Sequence, residues 1–131
     1  MNNKLDKILA EISAGELIDK ITILEIKKMK IKNQSKLNEV DKELNSLKST
    51  MNKFISDPSK ISKFKEQLKN INLKLWDVED GKRLAEKNSD FGKKFIELAR
   101  NVYKFNDERA KIKLEINNSL GSNIKEVKSY E

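Results

Sequence analysis

One stretch limits what this chain can fold into more than any other: Ser13-Ala-Gly-Glu-Leu-Ile-Asp-Lys-Ile-Thr-Ile-Leu-Glu-Ile-Lys27. Ser13 followed three residues later by Glu16 is a capping box, in which hydroxyl and carboxylate satisfy orphan amides of a helix's first turn. The helix that starts there is apolar on two sides. Leu17, Ile21, Leu24 and Ile31 form one stripe, and Ile18, Ile26 and Met29 form another. A helix wet on one face needs a single apolar stripe, so this one has to be covered from two directions.

The remaining punctuation divides the chain into helices. From Leu37 the apolar residues Val40, Leu44, Leu47, Met51 and Phe54 recur at alternating three and four, the seam of a coiled-coil-like helix. Asp57-Pro58 is the clearest break, with Asp57 as cap and Pro58 at the first helical position of the next helix. That helix carries Ile61, Phe64, Leu68, Ile71, Leu75 and Val78 on its seam. A turn near Asn88-Ser89-Asp90, with Asn88 or Ser89 as cap, leads to a last helix bearing Phe91, Phe95, Leu98, Val102, Phe105, Ile112, Ile116 and Leu120. Gly121 fits the left-handed position that ends a helix. The expected fold is therefore all-α, a single domain over 1–131 built of long antiparallel helices in a coiled-coil-like bundle. Residues 1–12 form a lead-in arm or helical turn, and in the tail, 122–131, Ile124, Val127 and Tyr130 lie back on the bundle. Gly81, inside a helix where a helix former is expected, marks a local bend at a cost of roughly 1 kcal/mol.

The junction at Asn33-Gln34-Ser35 leaves two architectures open. The second stripe keeps phase across it, which favours one continuous helix of roughly 60 Å and a three-helix arrangement. Its apolar N-terminal half would then overhang the hairpin and require a second chain, giving a homodimer joined through the first helix. Asn33 can instead end a helix and Ser35 cap another, folding the chain back as a four-helix bundle.

Composition bears on chemistry. The chain has no Cys and no His, so the usual soft metal ligands, a thiolate nucleophile and the common neutral-pH acid/base are missing. No cofactor is expected, and a metal would be a hard cation such as magnesium held by oxygen. The formal charge of +7 favours contact with polyanions, but the lysines are spread along every segment and interleaved with acids. No run reaches membrane-spanning length, and Met1–Lys7 lacks a signal peptide's apolar core, so a cytoplasmic protein that avoids membranes is expected.

Two sets of side chains could carry chemistry. Trp76, Glu79 and Arg83 share one helix face with Asn72 and Glu86, and the last helix adds Arg100, Asn106, Asp107 and Arg109. Only three of the 28 basic residues are Arg, which points to a planar, bidentate role for Arg83, Arg100 and Arg109. The cluster reads either as an ion-pair network that fixes helix register or as an anion pocket, with Glu79 and Asp107 orienting the arginines. Arg109 sits in the seam between Phe105 and Ile112 and needs an acceptor: Glu79, Glu25, a carbonyl or a bound anion. In a structural role its replacement by Met is expected to be mild. The second set is Glu16, Asp19 and Glu25 on the first helix, whose Glu-x-x-Asp spacing is similar to that of all-α nucleotide pyrophosphatases that bind magnesium. No Gly-rich phosphate loop, triad or zinc spacing occurs.

Gly15–Lys27, Leu75-Trp-Asp-Val-Glu-Asp80, Phe95-Ile-Glu-Leu-Ala-Arg-Asn-Val-Tyr103, Asn106-Asp-Glu-Arg-Ala110 and Lys128-Ser-Tyr130 together resemble an uncharacterised family. Its members are small helical proteins of bacteria and their phages, classed as a domain of unknown function, and the likeness runs from about Ile12 to Tyr130. It implies a cytoplasmic helical protein and brings no activity, cofactor or catalytic residue. Apolar seams and capping are the strongest signals, which puts a non-enzymatic interaction or assembly module, acting through itself or another protein partner, first among the functions. A small anionic-ligand or magnesium-dependent nucleotide-processing enzyme and a sequence-independent nucleic-acid binder are the alternatives.

Overall fold

The computed structural model describes residues 4–128. These form four α-helices, α1 (Ala14–Lys30), α2 (Gln34–Phe54), α3 (Ser62–Lys87) and α4 (Lys93–Leu120), with one 3-10 turn at Pro58–Lys60 and no strand. Among the described residues no helix is long and apolar enough to cross a membrane.

The first helix is not continuous. α1 ends at Lys30, Ile31 is extended, and the Asn33 side chain caps α2 by accepting from the Lys36 amide at 3.0 Å. Asn33, and not Ser35, is therefore the cap. The physical reason lies in the stripe Leu17, Ile21 and Leu24, which a straight helix would leave bare. Folding back lets Val40 and Leu44 of α2 bury it, with Ile31, Leu47 and Met51 packed around them. The other stripe turns the opposite way: Ile18 is buried with Ile61, Leu68 and Ile116 of the α3–α4 hairpin. α1 thus lies between α2 and the hairpin, and α2 makes no close backbone approach to α3 or α4. Ile18, Ile21 and Ile26 are wholly enclosed, each worth about 1.5–3 kcal/mol of burial. Met29, placed on the second stripe by its spacing, is exposed.

The helix ends are closed by specific contacts. At the start of α1 the Glu16 amide donates to Ser13 Oγ at 3.1 Å, the Ala14 amide to Ser122 Oγ at 3.1 Å and the Gly15 amide to Asn117 Oδ1 at 2.7 Å. Only half of the expected capping box forms, because the Glu16 carboxylate turns to Lys113. Asp57 caps the 3-10 turn through the Ser59 amide, so α3 proper begins at Ser62. Asn88 and Ser89 do not cap α4. They close α3 instead: Ser89 is left-handed, its amide donates to the Glu86 carbonyl, and the Asp90 amide donates to the Ala85 carbonyl. That pair of bonds is a Schellman motif. Gly121 takes the left-handed position at the end of α4. The tail is held by polar contacts rather than apolar ones: Glu126 bonds Lys113 and Lys128 bonds Asp107, while Val127 is exposed. Tyr130 lies outside the described residues.

Two glycines mark close approaches of very different stiffness. A Cβ on Gly15 would stand 2.5 Å from the Lys113 carbonyl oxygen and 3.0 Å from Asn117 Oδ1. A Cβ on Gly81 would meet the end of the Leu98 side chain at 3.1 Å, and α3 runs through Gly81 without a break. Backbone cannot yield as a leucine methyl can. Gly15→Ala is expected to destabilise the fold by about 1–3 kcal/mol in urea unfolding. Gly81→Ala, which gains up to roughly 1 kcal/mol of helix propensity, is expected to be neutral or stabilising. Equal stability of Gly15→Ala and the parent would show that the α1–α4 docking is loose.

Candidate functional site

From the cap of α1 onward polar residues recur at every third position, Ser13, Glu16, Asp19, Thr22 and Glu25, a ladder that winds about 60° around the helix at each step. Its middle members, Glu16, Asp19 and Thr22, meet residues of α3 and α4, whereas Glu25 meets Lys48 of α2 as well as α3. Asp19 at the centre of the ladder is wholly buried. Its carboxylate accepts from Arg109 Nε at 2.9 Å through Oδ1, from the Arg109 terminal nitrogen Nη2 through Oδ2, and from Asn72 Nδ2 at 2.9 Å. Asn72 Nδ2 donates its second hydrogen to Thr22 Oγ1 at 2.9 Å, and the Thr22 hydroxyl donates to the Asp19 carbonyl at 2.7 Å. Arg109 Nη1 reaches Asn106 Oδ1 at 3.3 Å. One helical turn away, Lys113 Nζ bonds Glu16 at 2.6 Å and Glu126 at 3.2 Å, and stands 4.0 Å from Asp19. The hydrogen bonds to Asp19 hold the Arg109 pKa above its already high ordinary value. Burial opposes the charge on Lys113, but its bonds to Glu16 and Glu126 and the fields of Glu16 and Asp19 outweigh it and raise the pKa.

The fork of Arg109 therefore has a partner, and it is Asp19 rather than Glu79 or Glu25. Charge-assisted, bidentate geometry of this kind is the strongest form of ion pair. The other expected residues separate around it. Trp76, Glu79, Arg83 and Asn72 line a groove of about 470 Å³ over Ile23, Ile26 and Leu75, with Arg109 at one end. Asn106, Asp107 and Tyr103 line a second groove of about 710 Å³ on the far side of Arg109. Arg100 is exposed and lines neither groove. The first groove is lined by Glu79 and Asp80 as well as Arg83, and Arg109 is already matched by Asp19, so the charges there leave no positive surplus. Glu79 also pairs with Lys82 at 3.4 Å.

Glu16, Asp19 and Glu25 do not converge. Glu16 and Asp19 flank Lys113, whereas Glu25 points into three lysines, with Lys65 Nζ at 3.3 Å, Lys48 Nζ at 3.8 Å and Lys69 Nζ at 4.0 Å. Among the described residues no group of three acidic side chains is placed to hold a metal ion. Sequence reasoning missed Thr22, Lys113, Asn117 and Glu126. The signal was there for three of them: Thr22 continues the every-third-residue ladder on α1, and Lys113 and Asn117 follow Arg109 at intervals of four on α4. Glu126 lies in the tail and has no periodicity to reveal it.

Residues 8–131 match the model of a family of unknown function (DUF6165), and the chain belongs to that family. No curated protein and no solved structure matches it.

Because the pKa of Lys113 is raised above 10.5, the folded state holds that proton more tightly than the unfolded chain does. Its contribution is complete below the unfolded value and fades as pH rises through the folded one. Parent protein is expected to lose melting temperature above about pH 10 more steeply than Lys113→Met, in which that titration is gone. Parallel alkaline limbs for the two proteins would show that Lys113 adds nothing to the network.

Proposed function

We propose that the chain is a non-enzymatic interaction module that associates with a second copy of itself through its N-terminal arm. The observation that carries this reading is the arm itself. Residues 4–12 precede α1 without regular secondary structure, with Leu5, Ile8 and Leu9 at 78%, 83% and 87% exposure. On either side of Ile8 and Leu9 lies a groove, one of about 1050 Å³ against Leu47, Phe54 and Leu120, the other of about 1070 Å³ against Leu24 and Val40. Phe54 is exposed as well. One surface therefore offers both protruding apolar side chains and the recesses to receive them. An isologous dimer needs that self-complementarity, because the same patch must serve as knob and hole. Contiguous apolar side chains at this exposure favour a covered surface.

The core points the same way. Its acids and bases are spent on each other, Asp19 on Arg109 and Glu16 on Lys113, which suits a rigid scaffold presenting surfaces. The sequence placed a dimer contact on α1, but α1 is enclosed by α2, α3 and α4; the arm that leads into it is the surface left to present.

Light scattering on the full chain at micromolar concentration is expected to give twice the chain mass. Ile8→Glu/Leu9→Glu is expected to run as a monomer with the parent's circular dichroism spectrum. A monomeric parent, or a double variant that stays dimeric, would contradict the proposal.

A further inference from the structure

Glu25 has a setting unlike that of any other acid among the described residues. It projects from α1 on the side where lysines of both α2 and α3 reach it, two helices whose backbones make no close approach, and three ammonium groups stand around it. Lys48 comes from α2, and Lys65 and Lys69 come from α3 one turn apart. All three stand within 4.0 Å of the one carboxylate. Elsewhere in the core charges are matched closely: Arg109 answers Asp19, and Lys113 stands between Glu16 and Glu126. Here cations outnumber the acid three to one, leaving two positive charges uncompensated at one point.

Such a cluster is self-repelling. Lys48 comes from α2 and the other two lysines from α3, so their mutual repulsion acts between the two helices. A multiply charged anion bound among the three ammonium groups would neutralise that repulsion. Their side chains are 43%, 27% and 35% exposed, so the ammonium groups are reachable from solvent yet steered inward by the carboxylate beneath. Lysine acts as a flexible point charge with three donors, which suits the several oxygens of a tetrahedral dianion. The overall +7 charge would raise the local concentration of such an anion.

We propose that Lys48, Lys65 and Lys69 form a phosphate-binding site, with Glu25 as the built-in counter-charge that keeps the lysines together when the site is empty. The phosphate could belong to a small phosphorylated molecule or to a nucleic-acid backbone, and the test has an arm for each.

The full chain is titrated with sodium phosphate against sodium chloride at matched ionic strength, reading melting temperature and calorimetric affinity. Phosphate is expected to raise the melting temperature of the parent beyond the chloride control, since a ligand of the folded state stabilises by mass action. Lys65→Gln/Lys69→Gln, and separately Lys48→Gln on α2, are expected to weaken phosphate binding at least tenfold. Glu25→Gln supplies the decisive sign. It removes the competing negative charge, so phosphate should bind several-fold more tightly even if the empty protein melts lower. A short RNA or DNA duplex bound in a salt-dependent manner, lost in the same lysine variants and displaced by phosphate, assigns the site to a nucleic-acid backbone. Phosphate binding without oligonucleotide binding assigns it to a small phosphorylated molecule. Equal melting temperatures in phosphate and chloride, a phosphate response untouched by the lysine substitutions, or weaker phosphate binding by Glu25→Gln would each overturn the proposal.

Discussion

A carboxylate with no access to water sits at the centre of this protein, and the helices are arranged around its needs. An unpaired Asp19 in that position would carry a desolvation penalty of several kcal/mol. The guanidinium of Arg109, the amide of Asn72 and the nearby ammonium of Lys113 meet that requirement. Each comes from a helix other than α1, so satisfying the charge sets the register of α1 against both α3 and α4 at once. Apolar packing alone would not do this, since Ile and Leu seams tolerate sliding that a bidentate pair does not.

Once that register is set, the rest follows by geometry. The first turn of α1 arrives at the end of α4, close enough that only Gly15 fits against the Lys113 carbonyl, and Asn117 and Ser122 close its free amides. With one side of α1 committed to the hairpin, its other stripe needs a cover, and α2 supplies it. Because α1 separates α2 from α3, only long side chains of those two helices reach a common point, and there Glu25 meets its three lysines. The network that holds the core together and the lysine cluster around Glu25 are thus consequences of the same placement of α1.

Much of this was legible in the residues. The two stripes of α1 foretold two layers of cover, and both are present. Gly121 ends α4 where it was expected, and Pro58, expected to open α3 itself, opens the short 3-10 turn just ahead of it. The break after Lys30 was harder to read, because a seam that keeps phase through 33–35 fits a straight helix as well as a folded one. Only the competition between bare and covered Leu17, Ile21 and Leu24 decides it, and that is a tertiary effect. Arg109 stood out as a guanidinium in an apolar seam, yet its partner was sought on α3 or further along α1. Asp19 looked like a metal ligand because an acid on a helix face carries no mark of burial. The three lysines around Glu25 were invisible among so many others, since their convergence depends on where α2 and α3 end up.

The identity of the buried partner also reverses an expectation. Arg109→Met seemed mild for a structural arginine, but of the two charges Asp19 is the enclosed one, while the Arg109 side chain keeps 28% of its surface in solvent. Stranding the carboxylate should therefore be worse than stranding the guanidinium, which can turn outward. A double-mutant cycle on Asp19→Asn and Arg109→Met, read by urea unfolding, tests this most directly. Arg109→Met is expected to cost about 3–5 kcal/mol, more than Asp19→Asn. The double variant is expected to recover about 1–3 kcal/mol relative to the sum of the two. Additive, small losses from both substitutions would contradict this, showing that the bundle holds its register without the pair.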